Sequence, residues 1–429
     1  MNELDEETRE EIFSIIAKAI ENENIYESVN KYKTDITVLN SEQSSFGAFE
    51  FILGVNVAAN LFNGREIYMD LFVKISDKSK SNRKIFRRQK HTYTEIFWNI
   101  HQFLMHKHMS SQFDFIDIWP IPFKMFSTDT REVLIYNKLS EIGYTFPLNK
   151  FSAPKLMNYG VLAMLAKFHA VSFAFREQKP EEFSALVKEW NKETTPEEIL
   201  SKHPNVCAIL KTGLKMTIDM LKEEQKTDLV DKIKNDFKNG ALAVITKVLS
   251  ERPDDCVVVH GDLWLNNIMV KNKVYDSTTE MNLKFINWEL STIHSPALDL
   301  AYYIYFTISE EPHEIFEHYV EYYYKEFHAY LIKYESDPDK SFPFLKLLDH
   351  LSKYSIYALI MTLSAVPFIT VNSLYVKNES VIEGKNDENC GKYQKYERLK
   401  YSNLRKEVKD FVSKKIISVL ELHYKYFSG

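Results

Sequence analysis

Two short segments near the middle of the chain constrain its fold more than any other feature. They read VVVHGDLWLNNIMV at residues 257–270 and LKFINWEL at residues 283–290. Apolar, β-branched runs alternate there with polar turns, which predicts three short strands, the second and third paired as a hairpin. That pairing would bring Asn267, at the start of one strand, beside Asn287, at the end of the other, with Asp262 on the loop before them.

The polar residues of these segments match the needs of phosphoryl transfer. A carboxylate must orient the acceptor hydroxyl, and oxygen ligands must hold magnesium against the phosphates of ATP. An H-x-D-x(4)-N loop followed about 20 residues later by an acidic metal ligand supplies both. The order here is His260, Asp262, Asn267 and then Asn287, so an amide stands where an acid is expected. Glu289 lies two residues further on and could replace the missing charge; a surface acid is the competing interpretation.

The parts that would bind the phosphates are expected in the first third of the chain. Short aromatic and β-branched runs between residues 36 and 137 predict a small antiparallel sheet, with one helix inserted at 83–106. Lys74, in LFVKI, is the candidate for the lysine that contacts the phosphates, and Glu95, in the helix that follows, for its partner. Gly47, the single glycine of the preceding loop, could cover the phosphates, although one glycine is a weak signal.

The remainder of the chain is mainly helical in its periodicity. The pattern predicts one long helix over 219–248, a loop over 179–196 and a final amphipathic helix over 399–427. The segment 354–371 carries no charge, but it contains a proline and several hydroxyl groups. A buried core helix therefore explains this segment better than a membrane span does.

Composition excludes several classes of protein. With 429 residues, 45% of them hydrophobic, the chain can bury a large core. A net charge of −6 argues against a nucleic-acid partner, and the short basic cluster at 83–90 is expected to be a solvated helix face. Three scattered cysteines and an acidic N-terminus predict a reducing, cytoplasmic setting without disulfides or a secretory signal.

Four blocks of the sequence resemble the ecdysteroid kinase-like (CHK kinase-like) family, within the wider group of choline and aminoglycoside phosphotransferases. They are HGDLWLNNIM, KFINWELS, SPALDLAYYIY and LAKFHAVSFAF. The resemblance implies an α+β, bilobal protein-kinase-like fold with a small β-rich N-lobe and a large, mainly α-helical C-lobe. The periodicity of residues 11–20 predicts an N-terminal amphipathic helix, and this helix and the nucleotide-binding lobe would occupy residues 1–138. The helical lobe, with the catalytic loop (257–290) and the acceptor site, would occupy 139–429.

The same resemblance implies roles for single residues. Asp262 would be the catalytic base and Asn267 a magnesium ligand, while His260 and Asp299 would support the loop. The family carries aspartate where this chain has Asn287. Because magnesium favours charged oxygen ligands, the change is expected to weaken metal binding.

These observations lead to one function and an alternative. The interval between Asn287 and Asp299 is too short for a peptide-binding activation segment, so the acceptor is expected to be a small alcohol. The resemblance suggests a lipophilic, steroid-like or xenobiotic hydroxyl compound, with ATP and Mg²⁺ as cofactors. The alternative is a pseudokinase that binds nucleotide or a small molecule with weak or no catalysis. A choline or amino-sugar kinase is a third interpretation; no nucleic acid and no membrane span are expected, and the oligomeric state is not predicted.

Overall fold

The computed structural model describes most of the chain. The described residues are 10–15, 29–39, 49–61, 64, 66–76, 78–107, 118–275, 278–308, 314–377, 401–404 and 406–427. The chain divides into two compact units, Met1–Tyr93 with Pro120–Thr145 and Thr94–Trp119 with Phe146–Gly429. The predicted division at residue 138, and the roles given to the two lobes, stay predictions.

The first unit is built on a five-stranded antiparallel sheet with strand order β1-β2-β3-β5-β4. The strands are β1 (Val29–Leu39), β2 (Phe49–Leu61), β3 (Glu66–Ser76), β4 (Pro122–Ser127) and β5 (Glu132–Asn137). Helix α1 covers residues 10–15, and α2 covers Lys80–His91. Alternate strand residues and the apolar side of α1 form one core: Ile12, Ile15, Ile36, Leu53, Val55, Val57, Leu71, Val73, Ile75, Val133 and Ile135.

The basic cluster on α2 is not a simple solvated face, so that expectation is wrong. Arg83 and Arg87 each place Nε about 3 Å from the carboxylate of Glu132, at 3.1 and 3.0 Å. Glu132 is fully buried at the start of β5, and Arg88 is also fully buried. A buried carboxylate requires cationic or hydrogen-bonding partners, and α2 supplies two of them.

The second unit is mainly helical. Its helices are α3 (Phe97–His106), α4 (Lys155–Gln178), α5 (Pro180–Trp190), α6 (Pro196–Lys202), α7 (Pro204–Glu223), α8 (Thr227–Asp236), α9 (Ala241–Ser250), α10 (Ala297–Thr307), α11 (Glu314–Lys333), α12 (Pro338–Ser341), α13 (Phe344–Lys377) and α14 (Lys406–Phe427). Together with the antiparallel sheet of the first unit, this confirms the predicted α+β fold class.

Two helix predictions were wrong. The segment predicted as a loop over 179–196 contains α5, which begins with Pro180 and two acidic residues in its first turn, all favourable at a helix start. The single helix predicted over 219–248 is three helices. Gln225 and Gly240 interrupt it, because both adopt positive φ angles (57° and 89°) that a continuous helix excludes.

The uncharged segment lies inside α13. By length and composition, Phe344–Thr370 is the one helix in the described part that could cross a membrane, and 72% of its apolar window is buried inside the protein. Helix α7 packs closely on α13, where a Cβ added to Gly213 would overlap the backbone of Ser364. The burial agrees with the prediction of a core helix.

The last helix, α14, buries a lysine. Lys415 is 5% exposed, and its Nζ donates to the backbone oxygens of Phe151 (3.4 Å) and Ile308. Ile308 follows the last residue of α10, so the lysine lies at the negative end of that helix. Burial lowers the pKa of Lys415 to about 7.

In the described part of the second unit, four short strands interrupt the helices. Strand β6 (Val257–Val259) pairs with β9 (Thr292–His294), and β7 (Ile268–Tyr275) pairs with β8 (Thr278–Phe285). The β7–β8 hairpin confirms the predicted pairing, whereas β9 was not predicted. The amide of Val258 donates to the Ser172 hydroxyl at 2.6 Å, which fixes β6 on α4.

Candidate active site

Asp262 lies on the loop between β6 and β7 with its carboxylate held at both oxygens. Tyr302 donates its hydroxyl to Oδ1 at 3.1 Å, and Asn267 donates Nδ2 to Oδ2 at 2.9 Å. The same Nδ2 also reaches the backbone oxygen of Asp262 at 2.7 Å. The carboxylate is buried and therefore has one fixed orientation.

Asp299, in the first turn of α10, fixes the backbone of this loop. Its Oδ2 accepts the amide of His260 at 2.6 Å and its Oδ1 accepts the amide of Gly261 at 2.8 Å. Behind it, Nε2 of His169 lies 3.3 Å from Oδ2, and the hydroxyl of Tyr323 lies 2.7 Å from the other ring nitrogen. Burial lowers the pKa of His169, so the ring is neutral, donating to Asp299 and accepting from Tyr323.

His260 braces the loop through both ring nitrogens. Nε2 lies 2.9 Å from the carbonyl oxygen of Ile286, which can only accept, so this nitrogen carries the proton. Nδ1 accepts the amide of Asp262 at 3.2 Å. Burial lowers the pKa of His260, which keeps this neutral form, and the ring packs 4.4 Å from that of Trp288.

Gly261 is required by the backbone at this point. Its φ angle is 81°, and a Cβ added to it would overlap the carbonyl group of Leu290. Its own carbonyl oxygen accepts the Tyr357 hydroxyl at 2.6 Å. Glycine alone therefore allows the loop to pass beneath the turn that follows β8.

Asn267 and Asn287, predicted to be neighbours, are joined by a hydrogen bond. Nδ2 of Asn287 donates to Oδ1 of Asn267 at 2.7 Å. Asn287 is buried and left-handed, with φ 65° and ψ 62°, a conformation that asparagine and aspartate tolerate better than most residues. The amide at 287 thus acts as a donor, which a carboxylate at the same position could not do.

The residues around Asn287 do not fit a divalent cation as they stand. Magnesium takes carboxylate and neutral oxygen ligands, yet Oδ1 of Asn267 already accepts a bond and Asn287 turns an N–H towards it. Within the described part of the chain, no group of three or more His, Cys, Asp or Glu side chains is placed to hold a metal. Glu289, in the turn Trp288–Leu290, is only 7% exposed, so the surface-acid interpretation is wrong; its role as a substitute ligand stays a prediction.

The structure gives positions for two of the three predicted ATP-binding residues. Lys74 is buried on β3, in register with Ile52 of β2 and Leu134 of β5. Glu95 is exposed in a π-helical turn that belongs to the second compact unit, and Gly47 lies outside the described residues. Their roles stay predictions.

Sequence reasoning missed two hydroxyl groups of the site. Tyr302, bonded to Asp262, follows Asp299 by three residues, and this helical spacing places both on one face of α10. That spacing could have identified it. Tyr357, bonded to Gly261, comes from the middle of α13, and no local pattern points to it. His169, on α4, is a buried and hydrogen-bonded core histidine with Asp299 as one partner.

Comparisons with known proteins give one family and several distant structures. A model of the ecdysteroid kinase-like family matches residues 69–336. No curated protein matches the chain significantly. An ethanolamine kinase of Plasmodium vivax is 12% identical over 91% of this chain and 82% of that chain, with a TM-score of 0.39. The GDP complex of an aminoglycoside 2'-phosphotransferase-IIIa variant is 12% identical over 96% and 97%, with a TM-score of 0.40. An aminoglycoside-3'-phosphotransferase of type VIII is 15% identical over 81% and 98%, with a TM-score of 0.33.

Proposed function

The chain belongs to the ecdysteroid kinase-like family, and from this membership and the geometry of the Asp262 loop we propose that it is a small-molecule phosphotransferase. ATP is the proposed donor, and a hydroxyl of a small molecule is the proposed acceptor. The observation that carries the proposal is the fixed carboxylate of Asp262, held by Tyr302 and Asn267 on a loop clamped by Asp299. Catalysis of this kind depends mainly on holding reacting groups in place.

In the proposed reaction, the acceptor hydroxyl approaches the carboxylate of Asp262. The hydroxyl oxygen forms a bond to the γ-phosphorus, its proton passes to the carboxylate, and the bond from that phosphorus to the β–γ bridging oxygen breaks, leaving ADP. Lys74, Glu95 and the loop at Gly47 are proposed to position the phosphates. The reaction type generally uses a divalent metal, and Asn287 determines how well this chain can hold one.

An aromatic layer beside the loop supports a lipophilic acceptor. The layer consists of four rings in a row: Trp264 lies 5.2 Å from Phe306, Phe306 6.2 Å from Phe151, and Phe151 5.5 Å from Phe411. Trp264 follows Asp262 by two residues, and Phe411, at the other end, is 37% exposed. Aromatic rings favour flat or apolar molecules, whereas an amino sugar would require carboxylates.

A second candidate function is binding of nucleotide or a small molecule without transfer. The hydrogen bond from Asn287 to Asn267 favours it, because it engages an oxygen that would otherwise face the metal. The two candidates make opposite predictions about position 287.

The deciding experiment measures phosphorylated product from ATP, Mg²⁺ and a panel of lipophilic alcohols with the full chain. We expect Asp262→Asn to abolish product, and Asn287→Asp to raise the rate by on the order of 10- to 100-fold, the scale on which misplacement of a reacting group affects rate. Asn282→Asp, which adds the same charge on β8, is the matched control and should change little. Absence of product from both the native chain and Asn287→Asp, with ATP still bound, would exclude the transferase and favour the binding protein.

A further inference from the structure

We propose that the Asp262 loop is built to hold together without a divalent cation, with Asn287 as an internal clasp in the position where a metal would sit. The proposal concerns the binding state of the loop and does not depend on which small molecule is the acceptor. Three hydrogen bonds join Tyr302, Asp262, Asn267 and Asn287 in a row, and each has a defined direction.

The orientation of the Asn267 amide is determined by its neighbours. The two Asp262 atoms that it contacts, Oδ2 and the backbone oxygen, can only accept hydrogen bonds. The Nδ2 group must therefore face Asp262, and Oδ1 must face Asn287. Consequently Asn287 must present its Nδ2 group, which lies 2.7 Å from Oδ1. No other assignment of the two amides satisfies all three contacts.

An aspartate at position 287 would break this match. A carboxylate oxygen would then face the Oδ1 atom of Asn267, two acceptors with no proton between them, about where Asn287 now donates. At neutral pH such a pair is stable only when a cation lies between the oxygens, because leaving a buried acceptor unsatisfied or protonating the carboxylate is costly. The amide supplies internally what the cation would supply, so the loop no longer needs the metal to close.

The backbone at 287 makes the proposal testable by substitution. Its φ of 65° and ψ of 62° are accepted by asparagine, aspartate and glycine, whereas alanine would add strain. Asn287→Asp therefore changes the donor to an acceptor without disturbing the chain. Asn287→Gly keeps the backbone, removes the clasp and adds no charge. Asn282→Asp again controls for an added carboxylate on the hairpin.

The test uses Mg²⁺ or Mn²⁺ alone, without nucleotide or acceptor. A negative result therefore counts against this proposal and not against the proposed phosphotransfer. Thermal unfolding of the full native chain is expected to give the same Tm in chelator, in Mg²⁺ and in Mn²⁺. Asn287→Asp should unfold a few degrees lower in chelator and regain the loss in either metal, because a ligand that binds only the folded state stabilises it. Asn287→Gly should also have a lower Tm than the native chain, and neither metal should raise it.

Direct Mn²⁺ binding, followed by loss of its free electron paramagnetic resonance signal, decides the question even if a variant folds poorly. We expect saturable binding by Asn287→Asp and none by the native chain or by Asn282→Asp. A native chain that binds Mn²⁺ and gains Tm to the same extent as Asn287→Asp would overturn the proposal. So would an Asn287→Asp variant that is as stable as the native chain in chelator.

Discussion

Asp299→Asn is the sharpest test of how the loop is held. The aspartate accepts two backbone amides, His260 on Oδ2 and Gly261 on Oδ1. An asparagine has one oxygen, so one amide would lose its acceptor and face an N–H group instead. Losing one bond to a charged group costs about 1.5–3 kcal/mol, and the unsatisfied buried amide adds about 1–3 kcal/mol. We therefore expect the free energy of unfolding to fall by about 2.5–6 kcal/mol, a large part of the 5–15 kcal/mol usual for a domain.

Tryptophan fluorescence in a urea titration is the appropriate assay, because all five tryptophans lie in the second unit: Trp98, Trp119, Trp190, Trp264 and Trp288. The signal therefore reports the unit that contains the loop. The control is Asp349→Asn, an exposed carboxylate on α13, which should shift stability by less than about 0.5 kcal/mol. If Asp299→Asn also stays within that range of the native chain, the two amides do not depend on the charged acceptor and the reasoning fails.

Further expectations concern three other positions. Gly261→Ala should destabilise by more than the roughly 1–2 kcal/mol of a left-handed residue, because its Cβ also overlaps Leu290. Gly240→Ala, at a positive φ of 89° with open space around the added Cβ and in the same unit, shows the cost of backbone strain alone in the same urea assay. Tyr302→Phe should cost about 1.5–3 kcal/mol, since it removes a donor to a charged oxygen; an unchanged urea midpoint would refute this. Lys415 has a folded pKa of about 7 against an ordinary 10.5, so the unfolded chain binds more protons between these pH values and stability rises with pH across that window. The Tm of the native chain should therefore rise relative to that of Lys415→Met as pH rises from about 7, and a constant difference would contradict it.

Sequence patterns predicted the β7–β8 hairpin because its two apolar runs have the period and spacing of paired strands. Once that hairpin is accepted, the neighbourhood of Asn267 and Asn287 follows from chain geometry alone. Which amide donates to which does not follow, because it depends on Asp262, whose oxygens are placed by the fold of the loop. The same limit applies to His169, whose contact with Asp299 joins two helices 130 positions apart.

The helical part was predicted less well, and the errors have physical causes. Residues 219–248 keep helical periodicity throughout, yet Gln225 turns left-handed without any glycine or proline to signal it. The basic residues Arg83 and Arg87 were expected in solvent because a sequence pattern does not indicate that Glu132 is buried opposite them. Both errors arise where tertiary contacts outweigh local preference.

Helix α10 makes two kinds of hydrogen bond with the loop. Asp299 accepts a backbone amide of the loop, and Tyr302, on the same face of the helix, donates to the carboxylate of Asp262. Because one helix bonds both the backbone and a side chain of the loop, the loop is not expected to open without that helix. We therefore expect helix and loop to open as one cooperative unit, so that the amide protons of His260 and Gly261 exchange with solvent when α10 detaches. We therefore expect the Asp262 loop to be among the slowest-opening parts of the second unit, although loops usually open first.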